Sequence, residues 1–208
     1  MSQSFNRRSF LQIAGVSAAA VAAGISAPAN AQSNSLSSSL SSHPGSAGGE
    51  DLFGLGVAAG SPRHDSMILW TRLAPNPLAD DGHGGMTGGD VRVGWEVAKD
   101  EGLGDVVKQG EVTTDANQDH TVHVDPHGLE PETVYFYRFK AQDKYSPIGR
   151  TKTAPALSAS PEELTFGVAS CANWESGFFN AYGDIAQRGR ADQLDYMIFL
   201  GDYIYEYP

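Results

Sequence analysis

Cysteine is nearly absent from this sequence: Cys171 is the single one among 208 residues. One thiol cannot close an internal disulfide, so packing and hydrogen bonds must hold the fold, and Cys171 is left buried, intermolecular or bound to something. With no C-x-x-C pair and no resolving cysteine, a redox role has little support. Basic residues are also scarce, 14 Lys and Arg against 25 Asp and Glu, for a formal net charge of −11. A chain this acidic offers nothing basic to track a nucleic-acid backbone, so nucleic-acid binding is excluded by charge. Long apolar runs are missing too. The mild run from Ile13 to Ile25 is rich in alanine and far below the ~20 strongly apolar residues of a membrane span, so no permanent membrane anchor is expected.

That weak run sits in an informative place. It follows Asn6-Arg7-Arg8-Ser9-Phe10-Leu11-Gln12 and precedes Ala29-Asn30-Ala31, the order of a twin-arginine pair, an apolar core and a small-x-small cleavage site. Residues 1–31 therefore read as a twin-arginine signal peptide cleaved after Ala31, which makes the twin-arginine export machinery a partner and the product periplasmic or secreted. The route carries proteins that have already folded, often with a cofactor inserted, which suits a metalloenzyme. From Gln32 to Gly49 the chain is mostly Ser, Gly, Asn, Ala and Pro, too poor in apolar surface to offset the entropy of ordering, and 32–50 is expected to be a flexible linker.

Ordered patterning starts at Asp51. Short apolar runs at 55–59, 67–72, 91–97, 110–114, 120–124 and 134–141 alternate in and out, as in Val91, Val93, Trp95 and Val97, with Gly, Pro, Asp and Asn between them. No helix-period segment interrupts them, and the pattern is that of a small β-sandwich. The stretch Leu129-Glu130-Pro131-Glu132-Thr133-Val134-Tyr135 resembles the L-x-P-x-T-x-Y element of fibronectin type III domains, with Tyr135 as a structural tyrosine corner. Two tempting sites are set aside. The Gly- and Asp-rich segment 79–90 lacks the D-x-D-x-D spacing and terminal Glu of a calcium loop and is expected to be a mobile hairpin loop. His120, His123 and His127 cluster in sequence, but on a strand positions 120 and 123 point to opposite faces.

After a Pro-bearing linker at 151–161 the periodicity changes. Leu164 to Ala169 suits a buried strand, Gly177 to Arg188 carries apolar residues at helical spacing with Phe178, Phe179 and Tyr182 available to pack it, and Leu194 to Leu200 is another buried strand. Strand, helix and strand make one βαβ crossover, which needs further elements to cover its faces. Each strand ends in polar residues of unusual type: Ser170-Cys171-Ala172-Asn173 after the first, Gly201-Asp202-Tyr203-Ile204-Tyr205-Glu206 after the second. Parallel neighbours bring their carboxyl ends to one edge, so Cys171 and Asp202 should face one crevice. A thiolate, a carboxylate and a phenolate at Cys171, Asp202 and Tyr205 would offset much of the charge of a ferric ion, a better match than zinc.

Here a resemblance becomes specific. F-G-V-A-S-C-A-N-W-E-S-G-F-F-N-A-Y, followed after one helix by L-D-Y-M-I-F-L-G-D-Y-I-Y-E-Y, is similar to the alkaline phosphatase D (PhoD) family, as are D-L-F-G-L-G-V-A-A-G-S-P, I-L-W-T-R-L-A-P and the twin-arginine leader. The G-D-x-x-Y element resembles that of purple acid phosphatases, which implies that Asp202 bridges two metals and Tyr205 binds ferric iron. Cys171 stands where related metallophosphoesterases carry the Asp of their first motif, and the resemblance implies a third iron ligand there. It also implies hydrolysis of phosphate mono- and diesters at an iron and calcium centre.

The expectation is thus an all-β fibronectin III/Ig-like sandwich at 51–154, followed at 161–208 by the incomplete start of an α/β metallophosphoesterase (calcineurin-like) domain. Cys171, Asp202 and Tyr205 are its metal ligands, and no catalytic acid, base or nucleophile is assigned. The family's later Asn, Asp and His ligands would lie beyond Pro208, so the chain is expected to be an N-terminal fragment, inactive alone. The competing expectation is an exported, non-catalytic binding module with a phosphatase remnant.

Overall fold

The computed structural model describes residues 51–173, 179–203 and 205; the expected leader and linker lie outside them, as do Trp174, Phe178 and Glu206. Two antiparallel sheets account for the first part. β1 (Val57–Gly60), β2 (Ile68–Arg72) and β5 (Thr121–Val124) pair in the order β1-β2-β5. β4 (Val106–Thr114), β3 (Val91–Ala98), β6 (Val134–Ala141) and β7 (Lys144–Tyr145) pair in that order, with β8 (Gly149–Lys152) also on β6. The chain changes sheet between β2 and β3, between β4 and β5, and between β5 and β6, so neither sheet is complete without the other.

Alternation explains the packing. In β3, Val93 and Val97 are fully buried and Trp95 packs against the same core. They meet Leu69 of β2, Val122 of β5, and Tyr135, Tyr137 and Phe139 of β6, which form one cluster with Phe53, Met67 and Leu73. Glycine makes room for two of the aromatics. A Cβ at Gly110, paired with Trp95 across the β3–β4 ladder, would come within 2.6 Å of the indole, and one at Gly149 within 2.3 Å of the Tyr137 ring. Burial pushes the Tyr137 phenol above its ordinary range.

Tyr135 is a corner as its context suggested: the Glu130 amide donates to its hydroxyl oxygen at 2.9 Å, and the residue is 1 % exposed. Buried Thr153 completes the corner. Its hydroxyl donates to the Glu130 carbonyl (2.7 Å) and accepts from the Thr133 amide (2.9 Å). The 151–161 linker therefore starts late, because Thr151 and Lys152 pair with Tyr135 and Val134 in β8. β8 went unseen in the sequence because Gly-Arg-Thr-Lys has no apolar alternation.

The loop at 79–90 joins β2 to β3, hence one sheet to the other, and is not a hairpin. It is tied internally, with Asp81 accepting from the His83 amide (2.8 Å) and the Asn76 amide donating to the Gly84 carbonyl (2.8 Å). Gly84 and Gly85 both have positive φ, and a Cβ on either would fall inside 3 Å of Ala74 or Asn76. The loop lies flat there only because these positions carry no side chain.

The second part is a strand, a helix and a strand: β9 (Phe166–Ala169), α1 (Asn180–Arg190) and β10 (Tyr196–Phe199), with β9 and β10 parallel. α1 carries Arg188 and Arg190 in its last turn, where a helix C-terminus favours cations. Both strands were expected to be buried and are not. Val168 is 56 % exposed and Met197 47 %, because one helix over two strands leaves apolar surface uncovered. Among the described residues no helix is long and apolar enough to cross a membrane.

A polar junction joins the two parts. Lys152 donates to Asp195 Oδ1 at 2.5 Å, the Thr165 amide donates to Asp195 Oδ2 at 2.9 Å, and the Tyr196 hydroxyl donates to the Thr153 carbonyl at 3.2 Å. Arg150 pairs with Asp192. The Lys152 ammonium, with the Thr165 amide second, holds the Asp195 carboxyl below its usual range. Replacing Tyr135 by Phe removes the corner bond and leaves the Glu130 amide unpaired, so we expect thermal or urea melts to show a loss of about 1–2 kcal/mol; an unchanged melt would mean that the corner is decorative.

Candidate metal centre

The carboxyl ends of β9 and β10 lie side by side because the strands run in register, Tyr196 beside Phe166 through Phe199 beside Ala169. Pairing continues past the last strand residues. The Leu200 amide donates to the Ala169 carbonyl (2.9 Å), Cys171 to Gly201 (3.1 Å) and Ala172 to Asp202 (2.9 Å). This ladder delivers Cys171 and Asp202 to one place, and the next turn returns Tyr205 to them.

Cys171 Sγ lies 3.5 Å from Asp202 Oδ2, and the Tyr205 hydroxyl donates to that same oxygen at 3.0 Å. Hydrogen bonds to the Cys171 thiol and then to the Asp202 carboxylate push the Tyr205 phenol well above its usual range. The thiol and the phenol each point a proton at the Asp202 carboxylate, and a cation bound by all three groups would have to displace both. Cys171 and Asp202 are exposed and Tyr205 half-buried, so the group is open to a ligand.

Cys171 (φ 64°) and Asp202 (φ 51°) both sit in the left-handed region, Asp202 directly after Gly201 at φ 123°. A non-glycine residue held there costs of order 1–3 kcal/mol. The conformation is shared by residues elsewhere in the fold, Ser61, Leu103 and Glu132 among them, so it describes the local backbone and does not by itself mark a site.

Donor chemistry and spacing suit a single ion. Two ligand atoms bound at roughly 2.0–2.3 Å to one metal stand about 2.8–3.8 Å apart, and the separations here are 3.0 and 3.5 Å. Among the described residues no group of three or more His, Cys, Asp or Glu could hold a metal; this trio counts a tyrosine as its third member. The histidines do not gather: His120 is fully buried and His123 is exposed.

A cleft of about 450 Å³ runs from Cys171 and Asn173 along Val168 to Phe179 and Tyr182 of the helix start. Phe179 stacks on Tyr182 with centroids 5.5 Å apart, Tyr182 lies 6.1 Å from Phe199, and Phe199 meets Tyr203 edge-on at 5.0 Å. Phe179 and Tyr182 thus pack the helix as expected, and they also line the cleft. Sequence reasoning missed Asp195 and Lys152, whose pairing spans parts of the chain that no local pattern connects.

The family model described as PhoD-like phosphatase, N-terminal domain, matches residues 38–155, and that of PhoD-like phosphatase matches 166–208. Alkaline phosphatase D of Bacillus subtilis (strain 168) is 48% identical over 155 residues, covering 74% of this chain and 25% of that protein. The chain thus spans about a quarter of that relative's length. A solved structure of PhoD aligns with a TM-score of 0.70 and 48% identity, over 74% of this chain and 28% of that one. The sensor domain of the anti-sigma factor RsgI4 of Pseudobacteroides cellulosolvens is far less similar, at 12% identity and a TM-score of 0.36, and carries no argument.

The strain at Cys171 can be measured without metal. Because only glycine tolerates left-handed φ freely, Cys171→Gly should be more stable than Cys171→Ala by about 1 kcal/mol. Equal stability of the two variants in urea melts would contradict a left-handed backbone at that position.

Proposed function

Because this chain belongs to the PhoD-like phosphatase family, we propose that it forms the first part of an exported hydrolase of phosphate mono- and diesters working at an iron and calcium centre. The observation that carries this reading is the convergence of Cys171 and Tyr205 on one carboxylate oxygen of Asp202 at the ends of two parallel strands. In the proposal Cys171 and Tyr205 would hold ferric iron as thiolate and phenolate, and Asp202 would supply the bridging carboxylate of the metal centre. The metals, when bound, would polarise the phosphoryl oxygens and activate the nucleophile.

The protein's own contribution is positioning and charge. Three anionic side chains would offset the charge of a trivalent cation. The strained turns aim the thiol and carboxylate at each other, so little reorganisation accompanies loading. The open cleft beside Cys171 gives a phosphate ester access from the helix side, with Phe179 and Tyr182 as its apolar wall.

The domain plan stands in the same proposal: a fibronectin III-like sandwich at 51–154 and the opening of a calcineurin-like metallophosphoesterase domain at 161–208. Strand order and the Tyr135 corner support the first. The parallel pair with polar residues at its carboxyl ends supports the second. Export by the twin-arginine route rests on Arg7, Arg8, the apolar run and Ala29-Asn30-Ala31. The contacts of Lys152 and Thr153 with Asp195 and Tyr196 speak against a sandwich acting as a free binding module.

The test is hydrolysis of p-nitrophenyl phosphate and its bis ester by the gene product that contains this chain, loaded with iron and calcium. Activity should fall roughly a thousandfold or more in Cys171→Ala and in Asp202→Asn, since each removes a metal ligand. The 208-residue chain by itself should show little or none. A loaded gene product that hydrolyses neither ester, or variants that retain full rates, would refute the reading.

A further inference from the structure

The metal centre depends on a strand pair that is short and poorly covered. β9 and β10 share only four paired residues, Tyr196 with Phe166 through Phe199 with Ala169, and several of their side chains face solvent. Such short, weakly buried ladders are prone to slip. A slip of two residues keeps each side chain on its face but shifts one strand by about 6–7 Å, which would carry Asp202 out of reach of any ion held by Cys171.

Something must therefore fix the register at the other end of the pair. Asp195 stands immediately before β10 and Thr165 immediately before β9. The Asp195 amide donates to the Thr165 carbonyl (2.9 Å), and the Thr165 amide donates back to Asp195 Oδ2 (2.9 Å). The second carboxylate oxygen, Oδ1, receives Lys152 from the end of β8 at 2.5 Å. One carboxylate thus joins the starts of both metal-bearing strands to the edge of the sandwich. Tyr196, the next residue, is tied to Thr153 by its hydroxyl. Thr153 in turn is bonded into the Tyr135 corner, so this end of the pair is fixed to the most buried part of the molecule.

We propose that Asp195, held by Lys152, is a positioning residue for the metal centre: it sets the β9–β10 register that brings Cys171 and Asp202 together. This rests on the metal-site reading above. Asp195 touches neither metal nor substrate in this scheme and acts only through the strands. It also gives the sandwich a task in a phosphatase, that of a fixed frame against which the ligand strands are aligned.

The experiment uses the gene product that contains this chain, unaltered and as the variants Asp195→Ala, Asp195→Asn and Lys152→Ala. Ferric iron is titrated in while the visible absorption of iron bound to thiolate and phenolate is followed, and amide exchange is measured on the metal-free protein. Asp195→Ala should weaken iron binding roughly 10-fold or more, as loss of supporting groups around metal ligands does, and should shift the absorption. Its Cys171 and Ala172 amides should lose protection while the Glu130 amide at the Tyr135 corner keeps its own. Asp195→Asn, whose amide oxygen still accepts from Thr165, should recover most of the affinity, and Lys152→Ala should fall between the two. If Asp195→Ala does not fold, the Asn and Lys152 variants decide the matter by the same measurements. Variants that melt earlier yet bind iron as the unaltered chain does, with Cys171 and Ala172 still protected, would overturn the positioning role. An unaltered gene product that shows no iron absorption would instead refute the metal reading, while the exchange data would still report whether Asp195 holds the register.

Discussion

Two parallel strands under a single helix cannot bury their own faces, and the proposed metal ligands sit at and beyond their carboxyl ends. What holds them is the polar junction at Lys152, Thr153, Asp195 and Tyr196. It works because Thr153 is itself immobilised: its hydroxyl is spent on Glu130 and Thr133, and its carbonyl is left to receive Tyr196. Side-chain networks of this kind are worth more inside a packed frame than on a free surface, since the ordering cost has already been met by the fold. The sandwich supplies that frame through a core of alternating side chains and two glycines that admit Trp95 and Tyr137.

Strain and hydrogen bonding act together at the other end of the strands. The backbone bonds from Cys171 to Gly201 and from Ala172 to Asp202 hold a left-handed cysteine and a left-handed aspartate in place. The Cys171 thiol and the Tyr205 hydroxyl each donate to the Asp202 carboxylate when no cation is there. In the proposed reading, loss of both protons would give three anionic donors to offset the charge of a ferric ion.

Much of this was legible in the chain itself. Strict alternation exposed the main strands, because a half-buried strand has to alternate, and the L-x-P-x-T-x-Y run gave Tyr135 its role before any distance was known. Cys171 and Asp202 could be paired because parallel strands end at one edge. β7 and β8 escaped notice because edge strands with little apolar content leave no period to read. The burial of β9 and β10 was overestimated for a related reason: Leu-Thr-Phe-Gly-Val-Ala and Tyr-Met-Ile-Phe look like core strands, and sequence does not say how much of the cover is in place. The strained φ values and the Lys152–Asp195 bond depend on where distant backbone segments meet, and no local pattern records that.

The claim that matters most is that Cys171, Asp202 and Tyr205 bind one iron ion. X-ray absorption at the iron edge of the loaded protein tests it most directly. The account requires a sulfur neighbour in the first shell of the iron, lost in Cys171→Ser, with the remaining first-shell neighbours being light atoms. A first shell of oxygen and nitrogen alone in the unaltered protein, or a spectrum that Cys171→Ser leaves unchanged, would contradict it.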